Sequence, residues 1–440
     1  MSITQIRKRE ANANDWLKVK VGDLVLGMFV VELDRPWRDT PFPINGFHLR
    51  NFDDIQSLRI LCEHVYIDTN KGAGLKRRND QLTILSSARK RAPESAAIKI
   101  RHDVYPRTRS VKQEVDAAAR IYQLLNDRLT TAITSAREHN PLGMKELYKL
   151  ANATIDSVMR NPDAFIWYLN TSDQGACILK HSIRGAIWAT IFAVYIGFKR
   201  DDIEALCVGT LLADIGMAKF SRDFVAKRGA FKRKEYLAYQ KHVGIGVDIL
   251  RVEGDVDPRI ISIVRSHHER HDGRGFPKGQ RGDQISSLAR IANLAYSYER
   301  LLKHSSESDL SPATAISRLY KQRKLKFAEQ LVFEFIKALG MFPAGTVVEL
   351  VTGEVGIVIE QNPNQRLTPK IMVVTTARKQ IRKECALINQ RSKQDGESFK
   401  AIKRSLPRGT HRIDPQKFTE RVFGKRIGIG PITMRIKRRN

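Results

Sequence analysis

Cysteine is scarce: four in 440 residues, at Cys62, Cys177, Cys207 and Cys385, far apart and with no CxxC pair. That excludes a disulfide-stapled scaffold and a zinc ribbon, and it suits a reducing compartment. Long apolar runs are lacking too. The most apolar stretch, Gly185 to Phe198, has 14 residues, short of the ~20 that a membrane-spanning helix needs. Arg184 precedes it and Lys199-Arg200 follow it, so a buried helix is expected there and a transmembrane one is not. The opening MSITQIRKREANANDW has no apolar core of the kind a secretory leader carries, and a soluble, cytoplasmic protein is expected. No unit recurs at a period of roughly 20–50 residues, which argues against a solenoid or propeller. Wholesale disorder is excluded by a hydrophobic fraction of 42%, enough to bury a core.

What the chain has in excess is positive charge, with 76 Lys+Arg against 47 Asp+Glu, a formal +29. Such an excess points to nucleic acid, an anionic surface, acidic proteins or a phosphate-rich ligand, or it is simply a solvated basic surface. It is uneven. Residues 377–440 hold 19 Lys+Arg and five Asp+Glu, a net +14, which reads as an interaction tail able to bind nucleic acid or an anionic surface non-specifically.

Patterning divides the chain into five parts. Residues 14–70 alternate in short β-branched runs (LKVKVGDLVLGMFVVELD, HVYIDT) around a helical DDIQSLRILCEH, a small β-rich module. Residues 71–110 are polar and basic without periodicity and read as a linker. From 111 to 344 the period is helical throughout, beginning with two long amphipathic segments joined at Asn140-Pro141-Leu142-Gly143. Residues 345–376 return to strand-like runs with a turn at Thr352-Gly353, and 377–440 form the basic tail. The fold class expected is mainly α, with a small β-rich module before the helical part and a short β extension after it.

Several histidines fall inside the helical part: His181, His242, His267 and His268, with Asp214 in LLADIG. Neutral imidazole and carboxylate suit iron, manganese, zinc or nickel, and residues on separate helices can converge on one centre as they do in bundle cores. A hydrogen-bonded core histidine is the other reading of each. The segment His267 to Pro277, HHERHDGRGFP, has glycines that let backbone approach a ligand, and Arg270 and Arg274 could pair with phosphate. A helix end with solvated charges would look similar.

Taken together, HHERHDGRGFP, the preceding His-Ser at 181–182 and LLADIG resemble the HD-GYP family, helical metal-dependent phosphodiesterases that hydrolyse the bacterial second messenger cyclic di-GMP. The resemblance runs over about residues 145–345. The front module, VKVGDLVLGMFVVELDRPWRDTPF, is similar to an uncharacterised N-terminal domain often fused to such proteins, and ALGMFPAGTVVELVTGEVGIVIEQN to their C-terminal extension.

The resemblance implies a metal set at His181, Asp214, His242, His267 and His268, with Asp214 bridging and catalytic if the centre is active. It implies a ligand loop of Arg270, Asp272, Gly273, Arg274, Gly275, Phe276, Pro277 and Lys278. Against the family pattern four site positions are substituted. Ala213 replaces the histidine of the His-Asp pair, and Met217 a lysine. Tyr296 replaces a late aspartate, and Cys177 the carboxylate of a third metal. Ser305-Ser306-Glu307 stand in place of an Arg-Pro-Tyr. One metal position then keeps only His181 and Asp214, while the other keeps Asp214, His242, His267 and His268. The expectation is one divalent ion at most, iron or manganese, or none if the site is fully degenerate. The protein is expected to be non-catalytic or weakly catalytic, a cyclic di-GMP receptor or a platform for signalling proteins. The alternative is an active metal-dependent cyclic di-GMP phosphodiesterase using the retained site.

Overall fold

The structure is a computed structural model. It describes residues 16–35, 46–49, 62–68, 75–78, 81–84, 100–172, 178–226, 231–303, 310–362, 368–389 and 401–424, with single positions between 55 and 98. The chain divides into two units, residues 1–94 and 95–440.

In the first unit four antiparallel strands, β1 (Trp16–Lys20), β2 (Phe29–Leu33), β3 (Phe47–His48) and β4 (His64–Asp68), lie in the order β1-β4-β2-β3. The period of two decides their faces: Val65 and Ile67 are buried and alternate with the half-buried His64 and Tyr66. Met28, Val30, Leu49 and Leu58 complete this core. The expected DDIQSLRILCEH helix falls mostly outside the described residues. The expected linker needs correction at both ends. Strands β5 (Leu75–Arg78) and β6 (Gln81–Ile84) pair as a hairpin within it. Its last part is docked on the second unit, where Tyr105 donates to the Phe198 carbonyl at 2.8 Å and Arg107 pairs with Asp163 at 2.7 Å. Both features rest on pairing partners that composition does not reveal.

The second unit is mainly helical. Helix α1 (Val111–Glu138) starts at Ser110, whose hydroxyl accepts from the Gln113 amide in a capping box, and ends at His139 in the left-handed region. After it come α2 (Met144–Arg160), α3 (Pro162–Thr171), α4 (Ile178–Tyr195), α5 (Arg200–Leu211), the short α6 (Arg222–Ala226), α7 (Arg233–Glu253), α8 (Pro258–Ser266), α9 (Ser287–Lys303), α10 (Pro312–Lys321) and α11 (Glu329–Leu339). Helix α4 is the apolar stretch noted above, and Ile183, Ala186, Ile187, Trp188 and Phe192 on it are fully buried. Among the described residues no helix is long and apolar enough to cross a membrane.

Beyond the helices a five-stranded antiparallel sheet forms from β7 (Val347–Leu350), β8 (Val355–Glu360), β9 (Lys370–Thr375), β10 (Ile381–Asn389) and β11 (Ile402–Leu406), in the order β10-β9-β8-β7-β11. The Thr352-Gly353 turn falls between β7 and β8, with Gly353 at φ +82°. Here the expectation of a weakly patterned basic tail from 377 is corrected. Strands β10 and β11 and helix α12 (Thr419–Phe423) lie within it, as the edges and the closing segment of the same unit. Edge strands carry charge to discourage further pairing, which made them look like tail. Much of that charge is paired: Lys379 and Arg404 bind Glu349 at 2.5 and 2.7 Å, and Arg382 binds Glu354 at 2.5 Å. Leu406, Ile413, Phe418 and Phe423 join the core of the helical bundle.

Candidate metal centre

Asp214 follows the end of α5 and opens a 3-10 turn, Ile215–Lys219. Gly216 sets that turn against α7: a Cβ there would lie 2.0 Å from the His242 carbonyl oxygen. Backbone packing against backbone therefore carries Asp214 to His242. His267 and His268 come off the end of α8. Asp214, His242, His267 and His268 each present a ligand atom, all within 4.8 Å of one another. Asp214 Oδ1 lies 3.3 Å from His242 Nε2 and 3.8 Å from His267 Nε2.

The ring tautomers follow from the outer nitrogens. His267 Nδ1 faces the Val264 carbonyl at 2.8 Å, and His242 Nδ1 faces that of Tyr239. A carbonyl only accepts, so each Nδ1 carries the proton and each Nε2 presents a lone pair. The two Nε2 atoms then face each other at 3.4 Å with no proton between them. Asp214 Oδ1 is buried beside them without a hydrogen-bond partner. Two lone pairs and an unpartnered carboxylate oxygen converging in a buried space fit a cation. Ionisation agrees. Burial, opposed in part by the Asp214 carboxylate, lowers the His267 imidazole to about 4, and burial lowers His268 well below its usual range. Burial would raise Asp214, but the nearby imidazoles and the Tyr296 hydroxyl outweigh it and hold the carboxyl below the usual range. At neutral pH Asp214 is a carboxylate and the His267 and His268 rings are neutral, the ligating forms. These four residues could hold a divalent ion.

The other oxygen of Asp214 has different company. Tyr296 Oη lies 2.9 Å from Oδ2 and 2.7 Å from Ser182 Oγ. The carboxylate can only accept, so the phenol donates to it and accepts from the serine. Burial and the Asp214 charge push the phenol well above its ordinary pKa, keeping its proton in place. Gly185 makes room for the ring: a Cβ there would sit 2.5 Å from Tyr296 Cδ2. His181 stands edge-on to that ring, centroids 4.4 Å apart, and is not among the four clustered ligands.

The 267–278 loop is built around Glu269, which is 1% exposed and accepts from the amides of Lys278 (2.7 Å) and Gln280 (2.9 Å). Arg270 forks onto Asp272, Nε–Oδ1 3.1 Å and Nη2–Oδ2 2.6 Å, and Asp272 also accepts from the Arg274 amide. Arg270 is thus engaged within the loop, whereas Arg274 and Lys278 are exposed. Phe276 stacks on His268 with centroids 4.5 Å apart, and the Phe276-Pro277 peptide is cis. Gly273 takes φ +76° at the turn, and Gly275 lies between it and Phe276.

Ala213 and Met217 are buried apolar neighbours of Asp214. Lys219 points elsewhere, its Nζ 3.1 Å from the Arg137 carbonyl and 3.0 Å from His139 Nε2. Cys177 and Ser305-Ser306-Glu307 lie outside the described residues. Sequence reasoning missed Tyr239, whose hydroxyl lies 3.1 Å from His268 Nε2 and whose ring packs on His242. The signal was available, since Tyr239 precedes His242 by three on one helix. It also missed the structural use of Glu269 and the bond between Tyr296 and Ser182.

The chain matches two protein families, the domain of unknown function DUF3391 over residues 17–147 and the HD domain over residues 173–331. It is 27% identical over 371 residues to a cyclic di-GMP phosphodiesterase of Pseudomonas aeruginosa, covering 83% of this chain and 86% of that protein. A 3'3'-cGAMP-specific phosphodiesterase of Vibrio cholerae is 31% identical over 121 residues, 28% of this chain and 26% of that protein. A solved protein of Bdellovibrio bacteriovorus, described as a HDG"Y"P protein, superposes with a TM-score of 0.43 at 15% identity, covering 73% of this chain and 98% of that one.

Proposed function

We propose, from the premise that the chain belongs to the HD-domain family in its HD-GYP form, that it is a degenerate member, a receptor for cyclic di-GMP or a platform for signalling proteins with little or no hydrolysis. The observation that supports this most is the phenol on Asp214 Oδ2. A two-metal centre needs a second set of anionic or imidazole ligands on that side of the bridging carboxylate. This chain offers a neutral hydroxyl there.

Asp214 Oδ1 and the imidazoles of His242, His267 and His268 would hold one divalent ion, iron or manganese by the family resemblance. Bound there, the ion would supply positive charge to a phosphate and acidify water. The residues do the rest. Tyr239 orients the His268 ring, and the Val264 and Tyr239 carbonyls fix the tautomers of His267 and His242. Arg274 and Lys278, exposed on the loop, are free to approach ligand phosphates, while Asp272 keeps Arg270 for the loop itself. A second cation and the lysine replaced by Met217 are missing from the charge that hydrolysis would use. Each such electrostatic loss costs about 2.7–4 kcal/mol, or roughly 10²–10³ in rate. Binding needs neither.

The intact four-ligand cluster favours a second reading, an active phosphodiesterase running on one ion. One experiment separates the two. Protein purified without oxygen and reconstituted with iron or manganese is assayed for bound metal, for cyclic di-GMP affinity and for linear dinucleotide and GMP. The expected result is at most one ion per chain and no turnover. Product that accumulates and vanishes in Asp214→Ala would overturn the degenerate reading.

A further inference from the structure

Between the bundle and the C-terminal sheet lies a partly open cavity of about 50 Å³ whose polar lining is Asn170, Arg184, Ser311, Thr346 and Arg408, with leucine, valine and proline side chains between them. We propose that it is a binding site for a small oxyanion of the phosphate class. It does not rest on the metal reading.

The charge and hydrogen-bond inventory carries the argument. Among the described residues no carboxylate lines the cavity, whereas two arginines do. Arg184 is 2% exposed. Its Nε is bound to Glu299 at 2.5 Å, and the other oxygen of Glu299 accepts from Trp188 Nε1 at 2.9 Å. Among the described residues Arg184 Nη1 is left buried with no hydrogen-bond partner. Thr346, also 2% exposed, has an equally unpartnered Oγ1. Arg408 is held by Asp414 and Gln416, and the amide of Asn170 is committed to the Ala344 carbonyl at 2.8 Å. Leaving a cationic N–H buried and unsatisfied costs more than leaving a neutral one so, and this space calls for an acceptor. Water fills such a space only by bringing donors of its own, whereas an oxyanion accepts from every side. The volume admits roughly three to five waters or one small tetrahedral ion, and no nucleoside.

The site also has a place in the mechanics of the unit. Arg184 lies three residues after His181 on α4, and its partner Glu299 three after Tyr296 on α9. Thr346 leads into β7 and Arg408 follows β11. A bound ion would fasten the sheet to the two helices that build the Tyr296 side of the centre.

Equilibrium dialysis of the full chain with labelled inorganic phosphate tests this, with chloride at matched ionic strength as the control. One phosphate per chain is expected, weakened about 10–100-fold in Arg408→Gln, the weight of a hydrogen bond to a charged group. Thr346→Val, an isostere that spares the fold, should weaken it by a smaller factor. Asp214→Ala should leave it unchanged. Binding that is lost in Asp214→Ala but kept in Arg408→Gln would put the ion on the metal cluster and overturn the proposal. So would phosphate that no more than chloride binds, or affinity unmoved in Thr346→Val. Equal competition by 5′-GMP would overturn the assignment to a free ion.

Discussion

The two oxygens of Asp214 face two different chemistries. On the Oδ1 side stand imidazoles whose lone pairs face inward, with no proton to share. On the Oδ2 side a phenol and a serine hydroxyl pass a proton-bearing hydrogen bond to the carboxylate, with His181 packed on the phenol ring. The first arrangement could take a cation, and the second is satisfied by its own hydrogen bonds. Gly185, beneath the phenol ring, is what lets that ring fit against the carboxylate.

The largest test of that contrast removes the charge both sides share. Asp214→Asn keeps an acceptor for Tyr296 but takes the anion from the Oδ1 side. Metal content measured by mass spectrometry should fall to background, since losing a direct ligand should exceed the 10–100-fold typical of outer-shell changes. Next comes pH. His267 sits at about 4 in the folded protein against ~6.5 unfolded, so the unfolded state binds more protons between those values. Stability of the metal-free protein should therefore fall as pH drops from 6.5 toward 4, by up to roughly 3 kcal/mol from this residue. Denaturant titrations across that range would show it, and a flat profile would mean His267 is not buried as a neutral ring. The smallest effect belongs to the other side. Tyr296→Phe leaves Oδ2 without its donor, and a loss of about 1–3 kcal/mol in stability is expected with metal uptake intact. If uptake vanished as well, the two sides would not be separable.

Much of this was legible beforehand. The helical period located α1, α2 and the buried α4, and the family resemblance carried by HHERHDGRGFP and LLADIG implied a metal set of which Asp214, His242, His267 and His268 lie together. Convergence itself was not legible, because it depends on Gly216 lying on the backbone at His242, a contact between segments with no shared pattern. Tyr296 could be marked as a substitution, but its bond to Ser182 joins residues on α4 and α9 and follows only from their packing. The strands after residue 377 were hidden by their charge, which composition reads as tail and three-dimensional pairing with Glu349 and Glu354 reads as sheet.

That sheet has one more consequence. Phe423 packs edge-on against Trp167 of α3, 5.1 Å between centroids, and the same apolar core continues through Ile413 and Leu406 into the helices around Trp188. Bundle and sheet therefore share one cooperative melting transition rather than two. A molecule that grips the basic edge strands of the folded protein in preference to the unfolded chain would therefore stabilise the His-Asp cluster against unfolding without touching it.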